Sequence, residues 1–241
     1  MDLSFEYDVG MRVCCWVLAV ASLVSSCGVY AQTGAAQSSS SSKKAATKRP
    51  PAAGDSSALE AGSVVNGIYR NRALAMACKI PPGWVLRTEE MNSREDADDQ
   101  ATPATHGADS RRGCPNACSK VLLAAFSRPP EARGEDINSS ILIAAEPVSA
   151  YPGLKEAAQY FGPLTEVAKS QGFAVDEEPY EFALGTRKLV RADFHKDVGT
   201  RVMRQSTLVL LSHEDAVSIT VIGGTEDEVE ELIDGVSFGK Q

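Results

Sequence analysis

Four consecutive strand candidates in the C-terminal part of the chain constrain its fold more than any other feature. They are YEFAL from Tyr180, TRKLVRADFH from Thr186, TRVMRQSTLVLLS from Thr200 and AVSITVIG from Ala216. Turn-forming Gly, Asp and His-Glu-Asp positions separate them, so each link is only a few residues long. Because parallel strands need long crossover connections, links this short predict antiparallel pairing.

Three further strands are predicted upstream of these runs. Apolar residues alternate with alanine or lysine over Leu74–Ile80, which is the period of a strand with one face on a core, and Pro81 ends it. The runs Lys120–Arg128 and Ser140–Val148 are short and apolar, as expected for buried strands.

Two stretches with helical spacing complete the pattern. The first runs from Leu154 to Ala168, with a break expected at Pro163 because proline lacks the helical N–H. The second follows Thr225, which is predicted to form a capping box with Glu228. Three strands, a helix, four strands and a helix predict an α+β sandwich with an antiparallel sheet, in a single domain over residues 64–241.

The N-terminal residues 1–31 have the features of a secretory signal peptide. A positive start at Arg12 precedes the apolar run Val13–Val24, which is shorter than the roughly 20 residues that a membrane span needs. The leader before Met11 is acidic, so Met11 is a candidate for the true start. Cleavage after Ala31 would fit the small-residue rule and release a soluble product.

Two membrane-anchored alternatives remain open. The sequence VSSC, ending at Cys27, resembles a bacterial lipobox, which makes Cys27 a candidate for lipidation. An uncleaved signal would also tether the chain. All three routes predict an exported protein, periplasmic or extracellular, with or without a membrane anchor.

Two polar stretches are predicted to lack fixed structure. Residues 32–63 are mostly Ser, Ala, Lys and Pro, with too few large apolar side chains to offset an ordering entropy of about 1 to 2 kcal/mol per residue. They are predicted to form a disordered linker. Residues 92–113 are similarly polar and are predicted to be a mobile insertion within the domain.

The charge of the chain argues against a nucleic-acid partner. The net charge of -8 belongs to residues 64–241, which carry 19 Lys and Arg against 27 Asp and Glu. Phosphates would be repelled by such a domain.

The residues that begin and end several predicted strands form a pattern that resembles a known fold group. Tyr69 and Asn71 enter the first strand, Pro82, Gly83 and Trp84 end it, and the chain closes on Val236, Ser237 and Phe238. This arrangement resembles the PsbP-like fold group, which includes the extrinsic protein of photosystem II and envelope lipoproteins of the DcrB type. The resemblance implies an antiparallel sheet sandwiched by helices, with Trp84 as a core plug, and a non-enzymatic binding, assembly or accessory role.

The resemblance also implies a disulfide. If Leu74–Ile80 and Lys120–Ser127 are adjacent antiparallel strands, Cys78 lies close to Cys118. A bridge there would close a loop of about 40 residues and stabilise the domain by roughly 4 kcal/mol.

Two other states of these cysteines remain open. Cys114 and Cys118 form a C-x3-C pair that would close a short bridge, or cycle as a thiol redox pair. All three thiols of the domain would stay free if no bridge forms.

Basic residues crowd one predicted hairpin of the otherwise acidic domain. They are Arg187, Lys188, Arg191, Lys196, Arg201 and Arg204. Such a cluster is a candidate partner-binding patch, although strand alternation would divide it between two faces and favour solvated charges.

No catalytic, cofactor-binding or metal-binding set is predicted. His106, His195 and His213 are not spaced as metal ligands, and no nucleophile-elbow motif is present. The sequence therefore predicts a non-enzymatic exported accessory or protein-binding module of the cell envelope, without a cofactor. A thiol redox protein using Cys114 and Cys118, or a small-ligand carrier, is the alternative.

Overall fold

A computed structural model of the chain describes residues 59–93, 119–132, 134 and 136–239. The predicted signal segment, the lipidation candidate Cys27, and Cys114 and Cys118 lie outside the described residues, as do most of the predicted linker and insertion. No helix in the described ranges is long and apolar enough to cross a membrane.

The secondary structure is mostly antiparallel sheet. In chain order the elements are β1 (Ser63–Val65), β2 (Ile68–Asn71), β3 (Met76–Lys79), β4 (Val85–Leu86), α1 (88–93), β5 (Lys120–Phe126), β6 (Ser140–Pro147), α2 (Ala157–Ser170), β7 (Ala174–Leu184), β8 (Arg187–Val198), β9 (Arg201–Ser212), β10 (Asp215–Gly223), α3 (Glu226–Asp234) and β11 (Val236–Phe238). A short 3-10 helix spans Val148–Ala150.

The strands form two sheets. The larger has the order β4-β5-β6-β10-β9-β8-β7, and the smaller has the order β1-β2-β3-β11. Neighbouring strands are antiparallel throughout both sheets. The α+β class and the antiparallel pairing predicted from the four C-terminal runs are therefore confirmed.

The two faces of the large sheet are covered differently. On one face, here called the inner face, the small sheet and α3 pack through Tyr69, Cys78 and Ile233 against residues such as Leu123 and Ile219. Trp84 packs against the same cluster, in agreement with its predicted role as a core plug.

Helices cover the opposite face, here called the outer face. Tyr160, Phe161 and Leu164 of α2 pack on one side with Phe194 of β8, and Met91 of α1 packs on the other side against β5 and β6. Helices thus cover one face of the large sheet, while a second sheet and α3 cover the other. Helices therefore lie on both faces of the large sheet, as predicted, but the second sheet that shares the inner face with α3 was not predicted.

The pairing of β3 corrects a second expectation. β3 lies between β2 and β11, with Cys78 opposite Tyr69 and Val236, and it is not a neighbour of β5. The reason is that β11, at the end of the chain, returns to pair with β3. The strand adjacency on which the bridge between Cys78 and Cys118 depended is therefore wrong.

The packed chain begins earlier than the predicted domain boundary at residue 64. Leu59 is only 5% exposed and belongs to the inner core. Its carbonyl accepts a hydrogen bond from Lys120 Nζ at 3.0 Å, and the Glu60 carbonyl accepts one from Asn71 Nδ2 at 3.0 Å. The last residues assigned to the disordered linker are therefore fixed, because a buried leucine and two hydrogen bonds hold them.

The first residues of the predicted mobile insertion are also fixed. Asn92 and Ser93 belong to α1. The Asn92 side chain accepts a hydrogen bond from Val121 N–H and donates one to its carbonyl, both at 3.0 Å. This amide ties the end of the described helix to β5.

Two-residue turns connect the long strands of the large sheet. Gly185 and Gly199 open the turns after β7 and β8, each with a φ of +62°. His213 opens the turn after β9 with a φ of +57°, a conformation that disfavours residues with a Cβ. The third hairpin thus holds a histidine where the other two hold glycine.

Replacing His213 by glycine is expected to raise the free energy of unfolding by about 1 kcal/mol, because it relieves the left-handed backbone strain. Chemical denaturation measures the change. Gly199→Ala is the matched control and is expected to lower stability by a similar amount. A His213→Gly variant less stable than the parent would contradict the strain argument.

Candidate functional site

The six basic residues of the predicted patch are divided between the two faces of the large sheet. Side chains two residues apart on a strand share a face. Arg187, Arg191 and Arg204 therefore lie on the inner face with Leu189, and Lys188, Lys196 and Arg201 lie on the outer face with Phe194.

Most of these side chains are engaged within the chain. The contacts are Lys188 with Glu181 at 3.6 Å, Arg201 with Asp136, Arg204 with Asp176 at 3.8 Å, and Lys196 with the Gln171 carbonyl at 2.7 Å. Arg187 has no ion pair with the residues that the structure describes. The six residues therefore do not form a continuous positive surface.

Arg191 is the centre of a charge network on the inner face. It is 7% exposed and lies 5.2 Å from the centre of the Phe182 ring. Its Nε donates to both carboxylate oxygens of Asp193 at 3.0 Å, and its two terminal nitrogens donate to Glu230 at 3.2 and 2.5 Å. Burial disfavours the charge of Arg191, but its hydrogen bonds to Glu230 and Asp193 and the negative charges of these carboxylates outweigh burial, so the pKa of Arg191 is raised.

Tyr180 extends the network to the edge strand β7. Its hydroxyl donates to Asp193 Oδ2 at 3.1 Å. Burial, and then the negative charge of Asp193, raise the pKa of Tyr180 to about 12. The hydroxyl therefore stays protonated at neutral pH and remains a donor to the carboxylate.

A second charged group lies further along the same face. His195 Nδ1 contacts Asp176 Oδ1, and Arg204 lies opposite His195 on β9. Asp176 thus accepts from the imidazole and lies 3.8 Å from the Arg204 guanidinium. Together with Tyr180, Arg191, Asp193 and Glu230, these residues form what we call the charge network.

The residues that the structure describes do not assemble a hydrolytic triad around His195. A histidine held by a carboxylate is a familiar general base, but it needs a nucleophile within hydrogen-bond reach. Ser206 lies opposite Asp193 on the same face, is fully buried, and has no hydrogen bond to His195. Within the described ranges, no three His, Cys, Asp or Glu side chains are grouped to hold a metal ion.

An acidic surface borders the charge network. Exposed carboxylates lie on β7 and α3, the two elements that contribute Tyr180 and Glu230 to the network. We call these residues the acidic face; its members are Glu177, Glu178, Glu226, Asp227, Glu231 and Asp234.

The charge network could not be predicted from the sequence because its members are distant from one another in the chain. Arg191 and Glu230 lie on different elements, and no local spacing joins them. One signal was available: Arg191 and Asp193 occupy strand positions of the same parity as the core residue Leu189. Charged residues at core-facing positions indicate an internal ion pair.

Cys78 is a free thiol in the inner core, with no exposed surface. Burial raises the pKa of its thiol from 9.0 to about 12. The thiolate is therefore scarce at neutral pH, and the group packs as a small apolar side chain. Cys114 and Cys118 lie outside the described residues, so a bridge between those two stays a prediction.

The Cys78 peptide is expected to resist iodoacetamide in the native protein and to react fully after denaturation. The folded state favours the neutral form of the Cys78 thiol. The contribution of this preference to the free energy of unfolding is therefore complete below pH 9 and is lost as the pH rises through about 12. Peptide-resolved mass spectrometry separates this thiol from the other cysteines. Rapid native alkylation at pH 8 would show that β3 opens.

Comparisons with known proteins identify no family. No family model matches the chain, and no curated protein matches it. A Pseudomonas aeruginosa protein of unknown function, a putative regulator, is 15% identical, with a TM-score of 0.32, over 51% of this chain and 77% of that one. LpqN, involved in cell envelope biogenesis of Mycobacterium tuberculosis, is 12% identical with a TM-score of 0.32, over 67% of this chain and 82% of its own.

A third solved structure, from Bacteroides thetaiotaomicron, is 10% identical with a TM-score of 0.33, over 70% of this chain and 47% of that one. Likenesses this weak do not extend the description of the fold or the site. The PsbP-like resemblance stays an expectation from the sequence.

Proposed function

We propose that the protein is a non-enzymatic accessory or protein-binding module, exported to the cell envelope. The observation that supports it most is the charge network, which fixes ionised side chains of β7, β8 and α3 on one partly exposed face. The proposed role for this face is recognition of a partner protein.

A fixed charged surface favours binding because its side chains are already ordered. Ordering a flexible side chain on binding reduces the free energy of association by roughly 0.5 to 1.5 kcal/mol for each side chain. Arg191 is held by Asp193 and Glu230, so little further ordering is required of it. The network therefore supplies a rigid base for the neighbouring carboxylates.

The acidic face determines the charge expected of the partner's binding surface. Complementary charge steers encounter and excludes wrong partners more than it adds raw affinity. A partner with a basic surface fits this face, and its association rate is expected to fall as salt is added.

The experiment is capture from an envelope extract with the full chain, followed by binding of the purified candidate partner. Glu178→Lys combined with Glu231→Lys reverses charge on β7 and α3 without touching an ion pair of the network. Glu166→Lys on α2 is the matched control, since Glu166 is exposed on the opposite side of the large sheet.

A saturable complex that weakens about tenfold or more in the double variant and is retained by Glu166→Lys supports the proposal. A complex that survives the double reversal assigns recognition to another surface. Insulin reduction that depends on Cys114 would instead establish the thiol redox alternative and overturn the non-enzymatic proposal.

A further inference from the structure

A cleft lies at one end of the large sheet, apart from the charge network. Its volume is about 420 Å³, within the range of small-molecule sites. Three segments line it: the chain before β6, the start of β9 and the start of α3. The lining residues are Asp136, Ile137, Ser139, Arg201, Val202, Gly224, Thr225 and Glu228.

The polar groups on the α3 side of the cleft already have hydrogen-bond partners within the chain. Glu228 accepts a hydrogen bond from Gly224 N–H at 2.8 Å and one from Ser139 Oγ at 2.5 Å. Thr225 caps the helix by accepting from Glu228 N–H at 3.1 Å. The carboxylate of Glu228 occupies the helix start, so an anion is not expected to bind there.

Arg201 is the cationic group of the cleft lining. It pairs with Asp136, and the two side chains are 44% and 76% exposed. An ion pair this exposed contributes little to stability. The Arg201 guanidinium can therefore exchange Asp136 for another carboxylate, which it can bind through two parallel hydrogen bonds.

The remaining wall supplies apolar contact. Val202 is one of the few large apolar side chains exposed in the described ranges, at 36%, and Ile137 also lines the cleft. A short branched hydrocarbon can contact both. Arg201 is the one cation among the lining residues, and it matches a single carboxylate. The Glu228 carboxylate also lines the cleft and would repel a phosphate dianion more strongly than a monoanion.

We infer that this cleft binds a small organic monocarboxylate with a short apolar body, which displaces Asp136 from Arg201 and packs on Val202 and Ile137. The inference is independent of the proposed partner binding, because it uses none of the residues of the charge network or of the acidic face exchanged in that test.

The test is titration of the 15N-labelled protein, as purified from cells, with isovalerate and with its neutral isostere isovaleramide. Isovalerate is expected to shift the amide signals of Ile137, Val202 and Gly224 saturably, with a Kd on the order of 1 mM for so small a ligand. Isovaleramide is expected to leave them unchanged up to about 50 mM.

Two substitutions with opposite expected effects sharpen the test. Arg201→Met is expected to weaken isovalerate binding about tenfold or more, by removing the charged donors. Asp136→Asn is expected to tighten it several-fold, by removing the internal competitor. Arg187→Met and Asp234→Asn are the matched controls for the two charge changes and are expected to bind like the parent.

Equal binding of isovaleramide would overturn the proposal, because the carboxylate would not be recognised. Shifts centred elsewhere, an absence of saturable shifts, or an Asp136→Asn variant that binds no more tightly would also overturn it. The Asp136→Asn result decides the question even if Arg201→Met is poorly folded.

Discussion

Replacing Arg191 by methionine is expected to lower the free energy of unfolding by about 3 kcal/mol. The guanidinium is 7% exposed and makes hydrogen bonds to Asp193 and Glu230. Removing it leaves the half-buried Asp193 carboxylate without its cation, and breaking one side of a buried pair costs more than the pair itself contributes. The methionine keeps the contact with Phe182, so lost packing is a minor part of the effect.

Chemical denaturation of the variant measures the loss. Arg204→Met is the matched control: it removes an arginine from the same face, but its pair with Asp176 is longer, at 3.8 Å, and its side chain is 39% exposed. A loss below about 1 kcal/mol is expected for it. Equal losses in the two variants would mean that burial does not strengthen the Arg191 network.

The triple variant Arg191→Met, Asp193→Asn, Glu230→Gln separates charge from shape. If the cost of Arg191→Met comes from uncompensated carboxylates, neutralising both should recover a large part of it. Failure to recover any stability would assign the cost to packing against Phe182.

The strands of the large sheet could be predicted because their signals are local. Each of the four C-terminal runs corresponds to one strand from β7 to β10, apart from Thr186 and Thr200, which lie in the turns, and two-residue turns fix the order of the strands. The α3 cap was predicted in part: Thr225 does cap Glu228, but the Glu228 side chain bonds Gly224 N–H instead of completing the box at Thr225.

The small sheet could not be predicted in the same way, because it joins the two ends of the domain. Pairing of Val236 with Cys78 leaves no periodic trace in either segment. The hairpin β1–β2 did leave one: Asn66 and Gly67 both have positive φ, at 52° and 72°, and Asn-Gly is a strong hairpin signal. The hairpin was not predicted because it directly follows the residues assigned to the disordered linker.

Pro163 shows tertiary context overriding a local rule. A break was expected there, yet α2 runs unbroken through it from Ala157 to Ser170. Phe161 and Leu164 are buried on either side of the proline, so packing on the outer face holds both halves of the helix in line. The missing N–H is compensated by burial that no helix-propensity argument includes.

The charge network escaped prediction for a different reason. Its residue types are visible in the sequence, but which carboxylate meets Arg191 depends on where α3 crosses the sheet. That crossing follows from the apolar stripe Val229, Leu232 and Ile233 packing into the inner core. Glu230 reaches Arg191 only once this packing is in place.

Replacing Gly62 by alanine is expected to lower the free energy of unfolding by about 2 to 3 kcal/mol. A Cβ at this position would lie 2.4 Å from the buried Tyr69 ring and 2.5 Å from the Arg70 carbonyl, so the chain must move. Tyr69 is 1% exposed and cannot yield without disturbing the inner core. The entry segment, residues 59–62, is therefore expected to detach from the domain.

Detachment limits the cost, which makes the prediction quantitative. Release of the segment exposes Leu59, worth about 2 kcal/mol. It also breaks the hydrogen bonds from Asn71 to the Glu60 carbonyl and from Lys120 to the Leu59 carbonyl, together worth about 1 kcal/mol. Leu59→Ala should release the same segment, so the double variant Leu59→Ala, Gly62→Ala should lose little more stability than either single variant.

Gly162→Ala is the control: a Cβ there meets nothing within 4 Å, and alanine favours the helix, so stability should rise slightly. Additive losses in the double variant would show that Gly62 and Leu59 act separately, and that the clash is absorbed by the core instead of by release of the entry segment.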